Sequence, residues 1–139
     1  MTYLVERLAE LRRHVAHLHA IRPRVPDRAS LQQDLSLHND VMFSLLMTAQ
    51  LVIDIAGELS ARRGEPFEDY TEAIVNLERD RRFPADLIRE LERLPGFRNV
   101  VIHEYVALDL EQVVDAINRL EPVEQFIAIV ARLERESTE

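Results

Sequence analysis

Arg98, Asn99, His103 and Tyr105 place a cation, an amide, an imidazole and a phenol within about two helical turns of one apolar stretch. At 100° per residue, with Arg98 at 0°, Asn99 falls at about 100° and His103 at about 140°. Leu94, Phe97, Val100 and Val101 gather between about 200° and 320°, so that face can enter a core. The opposite face displays Arg98, Asn99 and His103, with Ile102 near 40° and Val106 near 80°. Apolar residues interleaved with that polar triad predict a surface covered by a partner. Tyr105, near 340°, falls at the edge of the core face.

These residue types suit a phosphodiester. Arginine can neutralise charge growing on phosphorus. Histidine exchanges protons near neutral pH. Asparagine can hold a ribose hydroxyl or a phosphate oxygen. A structural reading stands beside this one: Arg98 pairs with Glu104 or Asp109, His103 is merely exposed, and Tyr105 is a half-buried aromatic with its hydroxyl at the rim. An R-x4-H spacing alone does not decide between them.

Other constellations are weaker. His14 and His17 lie one turn apart, but His19 points elsewhere and no cysteine completes a metal shell. No metal or cofactor is therefore expected. Arg79, Arg81 and Arg82 read as a solvated helix end, or as a patch that steers RNA. Asp54 and Glu58 read as polar anchors in an apolar helix, with Asp54 a candidate partner for Arg98.

The elements that must position these groups are helical. Leu4, Leu8, Leu11, Val15 and Leu18 mark one amphipathic helix, ended by Pro23 and Pro26. Ser30 with Gln33 resembles a capping box opening a second helix that runs to about Arg63, stopped by Gly64 and Pro66. Its 41–56 stretch is apolar nearly all round, which predicts the central helix. Asp69 and Glu72 cap a short third helix through about Arg79. Pro84 opens a fourth, with Leu87, Ile88, Leu91 and Leu94 inward. Pro95-Gly96 should interrupt it, placing Arg98 in the first turn of the next segment, where free N–H groups attract anions. Asp109 and Gln112 open a last helix, kinked by Pro122, with a fraying tail from Glu134. The expectation is one domain over 1–139, an all-α up-down bundle of about five helices.

Composition agrees. Aromatics are 6% of the 139 residues, so the core must be built from Leu, Val, Ile and Ala, which favours helices over a sandwich. There are no cysteines, which excludes disulfides and thiol nucleophiles. No signal peptide is apparent, and 41–56 falls short of a membrane span, so the expectation is a cytoplasmic protein with no membrane partner. A net charge of −8 argues against general affinity for nucleic acid and leaves room for a local basic site. All basic residues are arginines, the better fork for phosphate.

Phe97-Arg98-Asn99, three apolar residues, then His103-x-Tyr105 after a Pro-Gly break resembles the HEPN superfamily, and within it the HepT-type toxins with their R-x4-H-x-Y signature. The resemblance runs over about 35–114 and includes Ile53-Asp54-Ile55-Ala56, the turn from Pro66 to Tyr70 and the Pro84 helix start. It implies a metal-independent ribonuclease. It also implies a homodimer in which Arg98 and His103 of both copies build one cleft, with Asn99 supporting substrate and Ile102 and Val106 in the interface. RNA would be cut by attack of the ribose 2′-OH. A cognate minimal nucleotidyltransferase antitoxin, MntA-like, would neutralise the toxin by attaching AMP to Tyr105. Two rival readings carry no catalysis: a HEPN module that only binds a nucleotide or a nucleotidyltransferase, and a purely structural helical dimer.

Overall fold

The computed structural model describes residues 2–138, with side chains through residue 137. Those residues form eight α-helices: α1 (Thr2–Ile21), α2 (Arg28–Gln33), α3 (Leu35–Arg62), α4 (Tyr70–Val75), α5 (Ala85–Leu91), α6 (Leu94–His103), α7 (Leu110–Ile117) and α8 (Glu121–Thr138). Short 3₁₀ turns follow α1, α4 and α6. The all-α bundle is as expected, but the helices are cut more finely.

The cuts have local causes. Asp27, not Ser30, caps α2: its carboxylate accepts from the Ser30 backbone N–H at 3.1 Å and from the Ser30 hydroxyl at 3.0 Å. Asp34 then caps α3 by accepting from Leu37 N–H at 3.1 Å, so the expected second helix is two. Arg62 is the last residue of α3. Gly64 follows at φ 67°, and Glu65 N–H reaches Ser60 C=O while Gly64 N–H reaches Ala61 C=O, a Schellman stop. Pro122 does not kink a continuous last helix. The chain breaks after Ile117, and Pro122 lies in the first turn of α8, where its missing N–H costs nothing. Nor is Glu134 part of a loose tail. It is buried, and Arg62 donates to it at 2.9 Å, tying the end of α3 to α8.

α3 organises the molecule, packing against α1, α2, α4, α6 and α7. Its C-terminal half joins Leu4, Leu8, Leu11 and Val15 of α1 to Ile88 and Leu91 of α5 and to Phe126 and Val130 of α8. Its N-terminal half joins Leu18 and Ile21 of α1 to Val101 of α6 and to Val113 and Ile117 of α7. The 4-3-4-3 leucine register of α1 is therefore the core register. Polar groups on α3 are satisfied within this core: Thr48 donates to Ser44 C=O at 2.7 Å and Ser60 to Ala73 C=O at 3.0 Å. By length and composition α3 could cross a membrane, contrary to the expectation from 41–56, yet more than half of its most apolar stretch is buried in the bundle.

Candidate functional site

α6 begins at Leu94 with Pro95 in its first turn, so the helix break falls two residues before Pro95-Gly96 rather than at it. Arg98 consequently sits in the second turn. The expected role for free N–H groups beside Arg98 is removed by this shift. Pro95 and Val101 are buried, Phe97 and Val100 are half-buried, and Asn99, Ile102 and His103 are exposed, which is the division the wheel predicts.

Arg98 is held in place by neighbours that leave its charge uncompensated. Its Nη1 donates to Gln50 Oε1 of α3 at 3.2 Å. Its Nε and Nη2 both donate to Asn99 Oδ1, at 3.2 and 2.8 Å. The guanidinium carbon lies 5.3 Å from the centre of the Tyr70 ring, a cation–π contact from the start of α4. Three of five guanidinium N–H groups are thus used, and two remain for an incoming anion. Among the described residues no carboxylate lies within ion-pair distance of Arg98, so the Glu104 and Asp109 pairings do not occur.

Asp54 reaches Arg98 only through an intermediary. Gln50 Nε2 donates to Asp54 Oδ1 at 2.8 Å, which turns the amide oxygen toward Arg98. Gln50 is the residue that sequence reasoning passed over as a mere interruption of the apolar run. Asn99 spends its oxygen on Arg98, leaving its NH₂ donors for substrate oxygen. His103, the last residue of α6, is exposed and has no hydrogen-bond partner among the described residues. Arg98 and His103 stand about 140° apart and ~7.5 Å along the axis, and make no hydrogen bond to each other.

Tyr105 is not on the helix. Glu104 leaves helical geometry at φ −130°, ψ 35°, and Tyr105 opens the following 3₁₀ turn, so the wheel position at the core edge does not apply. The phenol is 49% exposed and leans on α3, with its hydroxyl 3.4 Å from His38 Nδ1. Ile102 is 51% exposed and Val106 99%. Phe43 and Leu35 on α3 are also largely exposed, apolar positions hidden to sequence reading inside a run that looked uniformly buried.

The remaining constellations resolve into local pairings. His14 contacts Ser44, His17 contacts Asp40 and His19 contacts Glu124, three partners in three directions. Burial pushes the His14 imidazole below its ordinary value. Arg79 pairs with Glu65, and Arg82 bridges Asp80 and Glu136. That basic knot is largely neutralised. The Arg82 hydrogen bonds hold the Asp80 carboxyl below the usual carboxylate range. Behind α6, on the side away from Arg98, a cavity of about 400 Å³ is lined by Leu45, Thr48, Phe97, Val100 and Leu120 among others.

A helical bundle that displays an uncompensated arginine and a free histidine on one helix, with a tyrosine just beyond, has the build of the HEPN class. The chain belongs to the HepT-like ribonuclease family, whose model matches residues 5–130. It is 25% identical over 130 residues to the mRNA nuclease HepT of Shewanella oneidensis, covering 91% of this chain and 95% of that protein. Solved structures share the fold. A tri-AMPylated S. oneidensis HEPN toxin in complex with MNT antitoxin superposes with a TM-score of 0.80 at 23% identity, covering 93% of this chain and 96% of that one. A toxin–antitoxin complex with AMP-PNP gives 0.82 at 22% identity, covering 95% and 99%.

Proposed function

We propose that this chain is the ribonuclease toxin of a toxin–antitoxin pair, acting on RNA as a homodimer through Arg98 and His103 of both copies and silenced by AMP transfer to Tyr105. The observation that carries this reading is the state of Arg98. It is braced by Gln50, Asn99 and Tyr70, faces no carboxylate, and keeps two N–H groups free. A structural arginine would be expected to pair with a carboxylate; one set for a phosphate needs its charge unspent.

The separation of Arg98 and His103 around α6 favours a composite site. Two copies of the helix facing each other would surround one phosphodiester with two arginines and two histidines. The exposed Ile102 and Val106 supply apolar surface for that contact. One imidazole takes the proton of the ribose 2′-OH, whose oxygen attacks phosphorus. The bond to the 5′ oxygen breaks, and the imidazolium of the other copy returns a proton to it. The arginines offset the charge on the phosphorane. The products are a 2′,3′-cyclic phosphate and a 5′-hydroxyl. No step requires a metal. Location in the cytoplasm, beside its RNA substrate, follows from this reading.

A nucleotidyltransferase antitoxin fits as the partner, and Tyr105 as its target. The phenol is accessible and lies two residues from His103. A nucleotide on it would add bulk and negative charge at the cleft.

The test is cleavage of RNA by the purified chain in excess EDTA, with mass spectrometry of the ends. The expected result is cutting with cyclic phosphate termini, reduced about 10²-fold or more in Arg98→Ala and His103→Ala. Strict Mg²⁺ dependence, or unchanged cleavage in both variants, would overturn the proposal.

A further inference from the structure

We propose that His38 is the proton acceptor for AMP transfer to Tyr105, so that the toxin supplies part of the chemistry of its own silencing. The inference rests on the modification proposed above.

The geometry is a paired contact. His38 Nδ1 lies 3.4 Å from the Tyr105 hydroxyl, and the two rings meet edge to face at 5.8 Å and 88°. His38 is the one titratable side chain within hydrogen-bond reach of that hydroxyl among the described residues. The two partners come from elements 67 residues apart. Each is fixed at its base. Asp34 caps α3 and accepts the His38 backbone N–H at 2.9 Å, which anchors the imidazole on the first turn. Tyr105 is anchored by its 3₁₀ turn, with Leu108 N–H donating to its carbonyl at 3.2 Å. Both side chains remain exposed, so a partner enzyme can bring a nucleotide to the hydroxyl without unfolding either helix.

A phenol holds its proton at neutral pH and is a poor nucleophile until it gives that proton up. In the proposed step Tyr105 Oη attacks the α-phosphorus of a nucleoside triphosphate presented by the nucleotidyltransferase. The Oη–P bond forms. The bond from that phosphorus to the oxygen bridging to the β-phosphate breaks, and pyrophosphate leaves. The phenolic proton passes to Nδ1 of neutral His38, whose ring hydrogen is on Nε2. A separation of 3.4 Å is long for this transfer, and catalytic pairs tighten when the reacting complex assembles. Nδ1 also lies 3.4 Å from Asn39 Oδ1, a neutral acceptor to which the protonated ring can turn afterwards. The imidazolium then stands beside the new phosphodiester as its counter-charge.

The experiment uses the full chain, the nucleotidyltransferase encoded beside it, and ATP, with AMP addition followed by intact-mass spectrometry. The expected result is single-site loss in Tyr105→Phe and a rate about 10²-fold lower in His38→Ala. Adding free imidazole should restore part of the His38→Ala rate. His38→Gln keeps a hydrogen-bonding group but takes up no proton, and should be as slow as His38→Ala. Both positions are exposed, and circular dichroism will show whether each variant is folded. Wild-type rates in the two His38 variants overturn the inference and leave modification of Tyr105 standing. Full activity in His38→Gln alone makes His38 a hydrogen-bonding prop, which also overturns the proton assignment. Absence of AMP from the wild-type chain overturns both this inference and the modification it rests on.

Discussion

Gln50 offers the sharpest test of how Arg98 is prepared. Gln50→Leu removes the acceptor 3.2 Å from Arg98 Nη1 while keeping a similar volume on α3. Arg98 would then be held only by its sequence neighbour Asn99 and by Tyr70. A hydrogen bond to a charged group is worth ~1.5–3 kcal/mol, and this partly exposed one belongs at the lower end. Each ~1.4 kcal/mol of lost transition-state stabilisation is tenfold in rate. Gln50→Leu should therefore lower kcat/KM for RNA by about tenfold. Gln50→Glu should do worse, by about 10²-fold, for two reasons. It sets a carboxylate against the guanidinium, which competes with substrate phosphate. It also replaces the 2.8 Å hydrogen bond to Asp54 with repulsion between like charges. The assay is initial-rate cleavage of a fluorophore-quencher RNA, with circular dichroism to confirm folding. A Gln50→Glu protein as active as wild type would refute the argument that Arg98 works because its charge is unspent.

Two further outcomes follow from other parts of the molecule. Ile102→Glu together with Val106→Glu should turn a dimer into a monomer by light scattering and abolish cleavage; a wild-type chain already monomeric at micromolar concentration would remove the composite site. Stability should fall toward acid in two stages. Burial lowers the His14 pKa in the folded state, so its contribution is complete above its unfolded value and is lost as pH drops through the lowered one; Arg82 lowers that of Asp80, whose contribution disappears further down, below the ordinary carboxylate range. Denaturant midpoints measured across pH check this: His14→Gln should flatten the upper stage and Asp80→Asn the lower, and identical profiles in all three proteins would refute the assignments.

What could be read from the sequence divides along the range of the interactions. The leucine register of α1, the glycine stop after α3, the Asp69 cap and the inward face of α5 depend on neighbours within a few residues, and all were legible. The exposed and buried sides of α6 were legible for the same reason. The break at Asp34 was not, because Asp27, Ser30 and Asp34 are all competent caps and only packing of the helices selects among them. The end of α6 at His103 carries no glycine or proline to announce it, so the wheel ran on into Tyr105 and misplaced it. Gln50 and His38 were illegible as site residues because they meet Arg98 and Tyr105 across 48 and 67 residues of chain, and such meetings exist only in the fold.

The cavity behind α6 has a consequence for motion. Of the ten residues of α6 only Pro95 and Val101 are buried, and part of its inner side faces about 400 Å³ of open space rather than a packed neighbour. Missing contacts forfeit dispersion energy outright, so this helix is seated more lightly than α1 or α3. Its amides should exchange with solvent deuterium through local opening well below the free energy of global unfolding. The segment that carries the reactive arginine and histidine is then the one able to adjust its seat as a second copy and a flexible RNA strand close around it, while the leucine-packed frame behind it stays fixed.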